Sequence, residues 1–298
     1  MADKSLIRSE GEQLAEILDD LERQSQVQEF SGWDSGFANL NRALDGILPG
    51  LNFLIGPPAL GKTSFAKQLL DQVAKQNRQR GIFFSSAESK SELRIKTLAR
   101  LSAMENREIR RGSAFLLHWY GVPKAHHATA EALAPSWEKL RRCAEDAKDW
   151  LDLIWLVERE RSTTVQEIEA HIRQIDAAPF VVIDDCQRLG DPNQPLDARL
   201  PIVVEQLQEL ATNLKLPLLA IWPDLVGHSE TAPQAWAGKV ASADVIMVME
   251  KDPARTKQLT EPNQAIALHI VKNRGGEKGR LAFDFYPSFA KFSETESL

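Results

Sequence analysis

The spacing of apolar residues changes along the chain, and the changes mark out its elements. Short unbroken apolar runs recur at Leu51, Phe53, Leu54 and Ile55, then at 82–86, 153–157, 180–183, 216–222, 245–249, 265–271 and 281–285. Runs of this length without alternation read as strands buried on both faces, as a mostly parallel sheet requires. The last three crowd together in sequence and are expected to be antiparallel. Between the runs, four-residue spacing predicts helices. Leu40, Leu44 and Leu48 form one, ended by Pro49-Gly50, and Phe65, Leu69 and Val73 form the next, reaching about Gln76. A helix from Ser91 to Leu101 follows the second strand. Ser162-Thr163-Thr164 caps another, carrying Val165, Ile168, Ile172 and Ile175. Arg199 to Leu214 is read as a helix with Ile202, Val203, Leu207, Leu210 and Leu214 inward. The predicted class is α/β, with helices flanking a central sheet.

Two regions stand apart. In residues 1–30, Leu6, Ile7, Leu14, Ile17, Leu18 and Leu21 lie at helical spacing among charged residues, and Gly11 places the main helix from about Glu12 to Gln24. Its narrow apolar stripe packs either on its own domain or on a neighbouring subunit. Residues 31–298 form the main domain. Within it, 105–150 is mostly helical and polar, His126-His127 reads as a solvated pair, and Trp119, Trp137, Trp150 and Trp155 are expected as core anchors. Asp191-Pro192-Asn193-Gln194-Pro195 is a turn, and 223–239 is a loop long enough to be functional.

Composition narrows the partners. The net charge of −6 means that the molecule as a whole does not attract nucleic acid, so any such binding needs a local basic surface. Cys143 and Cys186 show no metal spacing or disulfide framework, which fits a reducing cytoplasm. No apolar run approaches membrane-spanning length, so no membrane partner is expected.

The candidate chemistry starts at Gly56-Pro57-Pro58-Ala59-Leu60-Gly61-Lys62-Thr63-Ser64, which fits G-x-x-x-x-G-K-[ST] between a strand and a helix. The glycines let backbone N–H groups face a phosphate, Lys62 brings a cation to the β- and γ-phosphates, and Thr63 can ligate Mg²⁺. Glu88 follows the second strand. It either activates a water at the sheet's carboxyl edge or serves as an N-cap or first-turn acid of the next helix. The run Phe180-Val181-Val182-Ile183 delivers Asp184 and Asp185 to the same edge, and Asp184 is the better Mg²⁺ candidate because it directly follows the run. Between the last two predicted strands, residues 272–280 hold four basic side chains and three glycines. They make a mobile positive hairpin that is either a solvated turn or a charge donor to phosphate on a nucleotide or nucleic acid.

In order and spacing, these pieces resemble the RecA-fold, superfamily 4 ATPase domain of DnaB-type replicative helicases. Besides the phosphate loop, the resemblance rests on Ser31-Gly32-Trp33-Asp34-Ser35-Gly36, Phe83-Phe84-Ser85-Ser86-Ala87-Glu88, Thr163-Thr164-Val165-Gln166-Glu167-Ile168 and Val182-Ile183-Asp184-Asp185-Cys186-Gln187. It continues through Ala243-Asp244-Val245, Lys272-Asn273-Arg274-Gly275-Gly276 and Phe289-Ala290-Lys291-Phe292. It implies a P-loop NTPase that hydrolyses ATP with Mg²⁺, with Lys62 and Thr63 on the phosphates and metal, Glu88 as base and Asp184 as the Walker B acid. Gln187 would couple nucleotide to DNA, and Lys272 and Arg274 would reach into the neighbour's site. It further implies a homo-oligomeric, hexameric ring acting on single-stranded DNA in replication, with 5′–3′ polarity on resemblance alone, and residues 1–30 as the linker helix. The sequence departs from that pattern in several places. About thirty residues precede the core, so no counterpart of the family's primase-interacting domain is expected. Pro223-Asp224 stands where the family has a polar Gln, 233–242 lacks the usual acidic and Gln residues, and the channel loop is poor in Lys and Arg. An ATPase of this fold serving as a regulatory or assembly switch is therefore the alternative reading.

Overall fold

Strand β1 (Gly50–Gly56) runs through the middle of a nine-stranded sheet. The computed structural model describes residues 30–112, 130–160, 162–223 and 240–295, with positions 11, 14, 17–19, 22 and 238. Trp119, His126-His127 and 224–237 lie outside the described residues. The other strands are β2 (Gly81–Ser85), β3 (Ile154–Glu158), β4 (Phe180–Ile183), β5 (Pro217–Pro223), β6 (Val245–Lys251), β7 (Gln264–Asn273), β8 (Gly279–Tyr286) and β9 (Lys291–Glu294). Their order across the sheet is β3-β2-β4-β5-β1-β6-β7-β8-β9. The pairs from β3 to β6 are parallel, and β6 to β9 are antiparallel, as their short sequence separations anticipate.

The parallel strands are apolar on both faces because both faces are covered. Alternate residues of β1 enter two cores, Leu54 one way and Leu51, Phe53 and Ile55 the other. On the first face lie α1 (Ala38–Leu44) and α2 (Lys62–Asn77). Phe65 of α2 is fully buried, stacked on Phe37 with centroids 5.5 Å apart and edge-on to Phe283 and Phe292 at 5.5 and 5.2 Å. Burying one such ring is worth roughly 2–3 kcal/mol from apolar area alone. The cluster therefore ties α2 to the C-terminal antiparallel strands. Also described are α3 (Lys90–Ser102), α4 (Asn106–Arg111), α5 (Ala130–Asp146) and α6 (Lys148–Leu151). On the second face, α7 (Val165–Ile172) and α8 (Leu196–Leu214) bury Val165, Ile168, Val203, Leu207 and Leu210. A single-turn α9 (Pro253–Thr256) precedes β7.

Several expectations shift. The first helix stops at Leu44, where Asp45 turns left-handed (φ 58°), so Leu48 lies outside it. Helix α8 begins earlier than expected, at Leu196, and Ile202 is 49% exposed. Its buried stripe is Val203, Val204, Leu207, Leu210 and Ala211, and a residue one step before Val203 falls on the other side of the helix. Trp150 is buried, but Trp137 and Trp155 are exposed; Trp155 sits on β3, the outermost parallel strand, with no strand beyond it among the described residues. The described positions of 11–22 are helical, with Leu14, Ile17 and Leu18 exposed. No helix among the described residues is long and apolar enough to cross a membrane.

Candidate active site

Four strand ends meet at the carboxyl edge of the sheet. β1 and β5 end in register, Gly56 beside Pro223, and β4 and β2 continue the row with Ile183 beside Phe84. The loop from β1 into α2 closes tightly. Gly61, the N-cap of α2, has φ +80°, and a Cβ there would fall 2.6 Å from the Phe285 ring. A Cβ on Gly56 would meet the Met249 carbonyl oxygen at 2.7 Å. Both glycines are therefore needed for the loop to fold over the antiparallel strands. The first amides of α2 then face an open cavity of about 470 Å³.

Pro58, Ala59, Gly61, Lys62, Thr63 and Ser64 line this cavity from one side, and Glu88, Asp184 and Gln187 from the other. Pro57 and Leu60 belong to the same loop. Lys62 folds back, its Nζ donating to the Pro57 carbonyl at 2.6 Å. Thr63 Oγ1 donates to Asp184 Oδ2 at 2.9 Å. Burial pushes the Asp184 carboxyl up to about 6; nearby Glu88 and Asp185 add to this, while the Thr63 bond and Lys62 oppose it. Asp185 also lines the cavity but is engaged differently. Its backbone is left-handed (φ 59°), and its carboxylate pairs with Arg188. Of the two acids, Asp184 is the one facing Thr63.

Glu88 is not a helix cap. Ser89 caps α3 through a capping box with Glu92, in which the Glu92 N–H donates to Ser89 Oγ at 3.2 Å. The Glu88 N–H donates to Ser85 Oγ at 3.0 Å, and the residue lines the cavity. Gln187 occupies a 3₁₀ turn (Cys186–Arg188), and its Oε1 is buried with no hydrogen-bond partner among the described residues.

Lys272 and Arg274 are not brought to this cavity. β7 runs antiparallel to β6, so its end lies beside Val245, at the amino edge of the sheet. There Arg274 Nη1 lies 2.8 Å from Asp244 Oδ1, and Lys272 Nζ donates to the Ala241 carbonyl. Burial and nearby Arg274 lower the pKa of Lys272, with Asp244 opposing. Arg280 pairs with Asp252 at 2.7 Å. Three of the hairpin's four basic groups are thus held by the chain itself, rather than loose as expected.

Two cations in or beneath the site were missed in the sequence. Buried Arg159, directly after β3, donates through Nη2 to the carbonyls of Asp184 and Asp185 at 2.7 and 2.6 Å and so holds the turn that presents Asp184. A charged residue at the end of a third predicted strand was the available signal. Lys96 of α3 reaches Ser64 Oγ at 2.9 Å and Glu88 Oε1 at 3.2 Å. Its spacing, three residues past buried Leu93, placed it beside the inward face of α3.

The donor set fits a metal-bound nucleotide. Mg²⁺ in such sites takes one or two protein oxygens and completes its shell with phosphate and water, and here one hydroxyl and one carboxylate already touch. No cluster of three or more acidic, His or Cys ligands occurs among the described residues, and this mode of binding needs none.

Comparisons with known proteins bear on the fold and the family. One solved structure, described as an ATPase domain, superposes with a TM-score of 0.74 at 20% identity, covering 98% of this chain and 100% of that one. A second structure, described as a DnaB-like replicative helicase and its interactions with primase, gives 0.74 at 19% identity over 98% of this chain and 68% of that one. Likeness at this identity speaks for the fold. In sequence, the chain is 22% identical over 280 residues to the replicative DNA helicase DnaB of Leifsonia xyli subsp. xyli, covering 89% of this chain and 56% of that protein. It is 20% identical over 296 residues to a probable replicative DNA helicase of Trieres chinensis, covering 93% of this chain and 60% of that one. The chain thus spans little more than half the length of these curated relatives. The family model described as DnaB-like helicase C terminal domain matches residues 32–294, and the chain belongs to that family.

Proposed function

We propose that residues 31–298 are the ATP-hydrolysing motor domain of a ring-forming, DNA-acting oligomer, with residues 1–30 as a linker segment. The observation that carries this is one cavity holding Lys62, the Thr63–Asp184 pair at 2.9 Å and Glu88, all at the carboxyl edge of the parallel strands. Amides of 56–64 and Lys62 would grip the β- and γ-phosphates of ATP. Thr63 and Asp184 would hold Mg²⁺, which when bound neutralises phosphate charge as the γ-phosphoryl group transfers. Glu88 would orient the attacking water and accept its proton as the bond from the γ-phosphorus to the bridging oxygen breaks. Gln187 lies in the 3₁₀ turn after β4 and lines the cavity, a position suited to relaying nucleotide state. Lys272 and Arg274, far from their own cavity, would supply cations to the next protomer's nucleotide, which makes a head-to-tail ring the natural assembly and a hexamer the family's form. Single-stranded DNA is the proposed track, and 5′–3′ the proposed polarity. Free Cys143 and Cys186 suit a cytoplasmic setting.

Lys62→Ala should abolish ATP turnover. Glu88→Gln should retain ATP binding and lose turnover, and unchanged turnover in that variant removes Glu88 as base. Single-stranded DNA should stimulate turnover with a steep salt dependence. A flat response favours the second reading, a regulatory or assembly ATPase without unwinding. Pro223 supports that reading, because it closes β5 at the cavity wall without a side-chain hydrogen-bonding group.

A further inference from the structure

We infer that Lys96 is a positioning residue that fixes the Glu88 carboxylate for proton abstraction and ties it to the phosphate loop. This rests on the reading of Glu88 as the base. Helix α3 is anchored on both sides of Lys96. The Ser89–Glu92 capping box starts α3 immediately after Glu88, so the helix is fixed in rotation one residue from the acid. Its inward side is anchored a second time, since Thr97 and Arg100 join a buried network with Asp71 of α2. Between these anchors, Lys96 extends toward the cavity. Its Nζ donates to Ser64 Oγ, in the first turn of α2, at 2.9 Å and sits 3.2 Å from Glu88 Oε1. The two side chains are only 19% and 26% exposed, so the pair is better shielded than an ordinary surface ion pair.

The two carboxylate oxygens of Glu88 are therefore unequal. Oε1 faces the ammonium, while Oε2 is buried with no hydrogen-bond partner among the described residues. A buried acceptor left over in this way is costly unless something supplies a hydrogen. As the side chain stands, Oε2 has essentially no surface open to the cavity, so a water at the γ-phosphate reaches it only when the carboxylate turns while Oε1 stays on Lys96. Lys96 then sets which oxygen takes the proton. Because Ser64 directly follows Thr63, it also links base placement to the loop that grips the phosphates. Displacing a catalytic group by about 1 Å costs on the order of 100-fold in rate.

The test uses the full chain with Lys96→Met and Lys96→Arg, measuring steady-state turnover and the dissociation constant of a fluorescent ATP analogue. Lys96→Met should lower kcat by about 10- to 100-fold with analogue affinity changed less than about three-fold, and Lys96→Arg should recover most of the loss. On the residual turnover left in Glu88→Gln, adding Lys96→Met should cost nothing further, since Lys96 acts through Glu88. Ser64→Ala, which removes a single hydroxyl, should lower kcat in the same direction by a smaller factor and covers the case in which Lys96→Met folds poorly. An undiminished kcat in Lys96→Met, an additive loss in the Glu88→Gln background, or analogue binding weakened about ten-fold (a direct phosphate contact) each overturns the inference. Full turnover in Glu88→Gln overturns the base instead, so the two failures are distinguishable.

Discussion

At the residue scale, Asp184 illustrates the conflict between a stable fold and a working site. Its carboxyl lies at a buried strand end, and burial raises it from 3.8 to about 6. The folded chain therefore holds this proton more tightly than the unfolded chain does. With no metal present, Asp184 opposes folding as pH rises from about 4 through 6, by at most about 3 kcal/mol once fully ionised. Metal binding needs the ionised form, so Mg²⁺-dependent ATP affinity should fall as pH drops below about 6. Asp184→Asn should remove that pH dependence together with most of the metal-dependent affinity. It should also raise the melting temperature of the nucleotide-free protein at pH 8 more than at pH 5. Thermal melts at the two pH values decide this, and identical melting of variant and wild type at pH 8 contradicts the strained-carboxylate account.

At the element scale, the α2–α3 pair carries the phosphate loop on one helix and Lys96 on the other. The two are joined by a buried ionic cluster, in which Asp71 receives both Lys67 and Arg100, and Thr97 donates to Asp71 Oδ2 at 2.7 Å. Burial alone would raise the Asp71 pKa, but the charges of Lys67 and Arg100 outweigh it and hold it below the ordinary value. The stabilisation is thus complete above about pH 4 and is lost as pH falls through the depressed value. Asp71→Asn leaves two buried cations without a counter-charge and should cost about 3–5 kcal/mol in urea unfolding at pH 7. A loss under about 1 kcal/mol would indicate that water already screens the cluster. This scale also explains what the sequence disclosed. The phosphate loop, Glu88 and Asp184 were legible because each is defined by a neighbouring apolar run, and the sheet's parallel order then collects them. Lys96 and Arg159 were not, since their roles depend on how α3 packs on α2 and where β3 ends relative to β4. Ile202 and Trp155 misled because composition reports an apolar residue without reporting whether a partner covers it.

At the scale of the molecule, the proposed nucleotide cavity and the proposed cation donor Arg274 lie at opposite edges of the sheet. The cavity with Lys62 opens at the carboxyl edge of the sheet, and Arg274 is held against Asp244 at the amino edge, where Asp244 Oδ2 also accepts the Leu51 N–H at 2.9 Å. No local rearrangement of β7 carries Arg274 around the sheet, so any contact it makes with a triphosphate is with another copy. A repeated head-to-tail contact satisfies every site when it closes into a ring. Lys62→Ala protein lacks a working loop but keeps its Arg274, the proposed finger in trans, whereas Arg274→Ala protein lacks that cation but keeps its loop. Each variant alone should be inactive. In an equal mixture with random assembly, about one interface in four pairs an intact loop with an intact Arg274, so turnover should recover to at most about a quarter of wild type if sites act independently. Turnover measured across mixing ratios, alongside mass in solution, tests this. A confirmed mixed oligomer with no recovery at any ratio rules out the finger in trans while leaving the cavity's own chemistry standing.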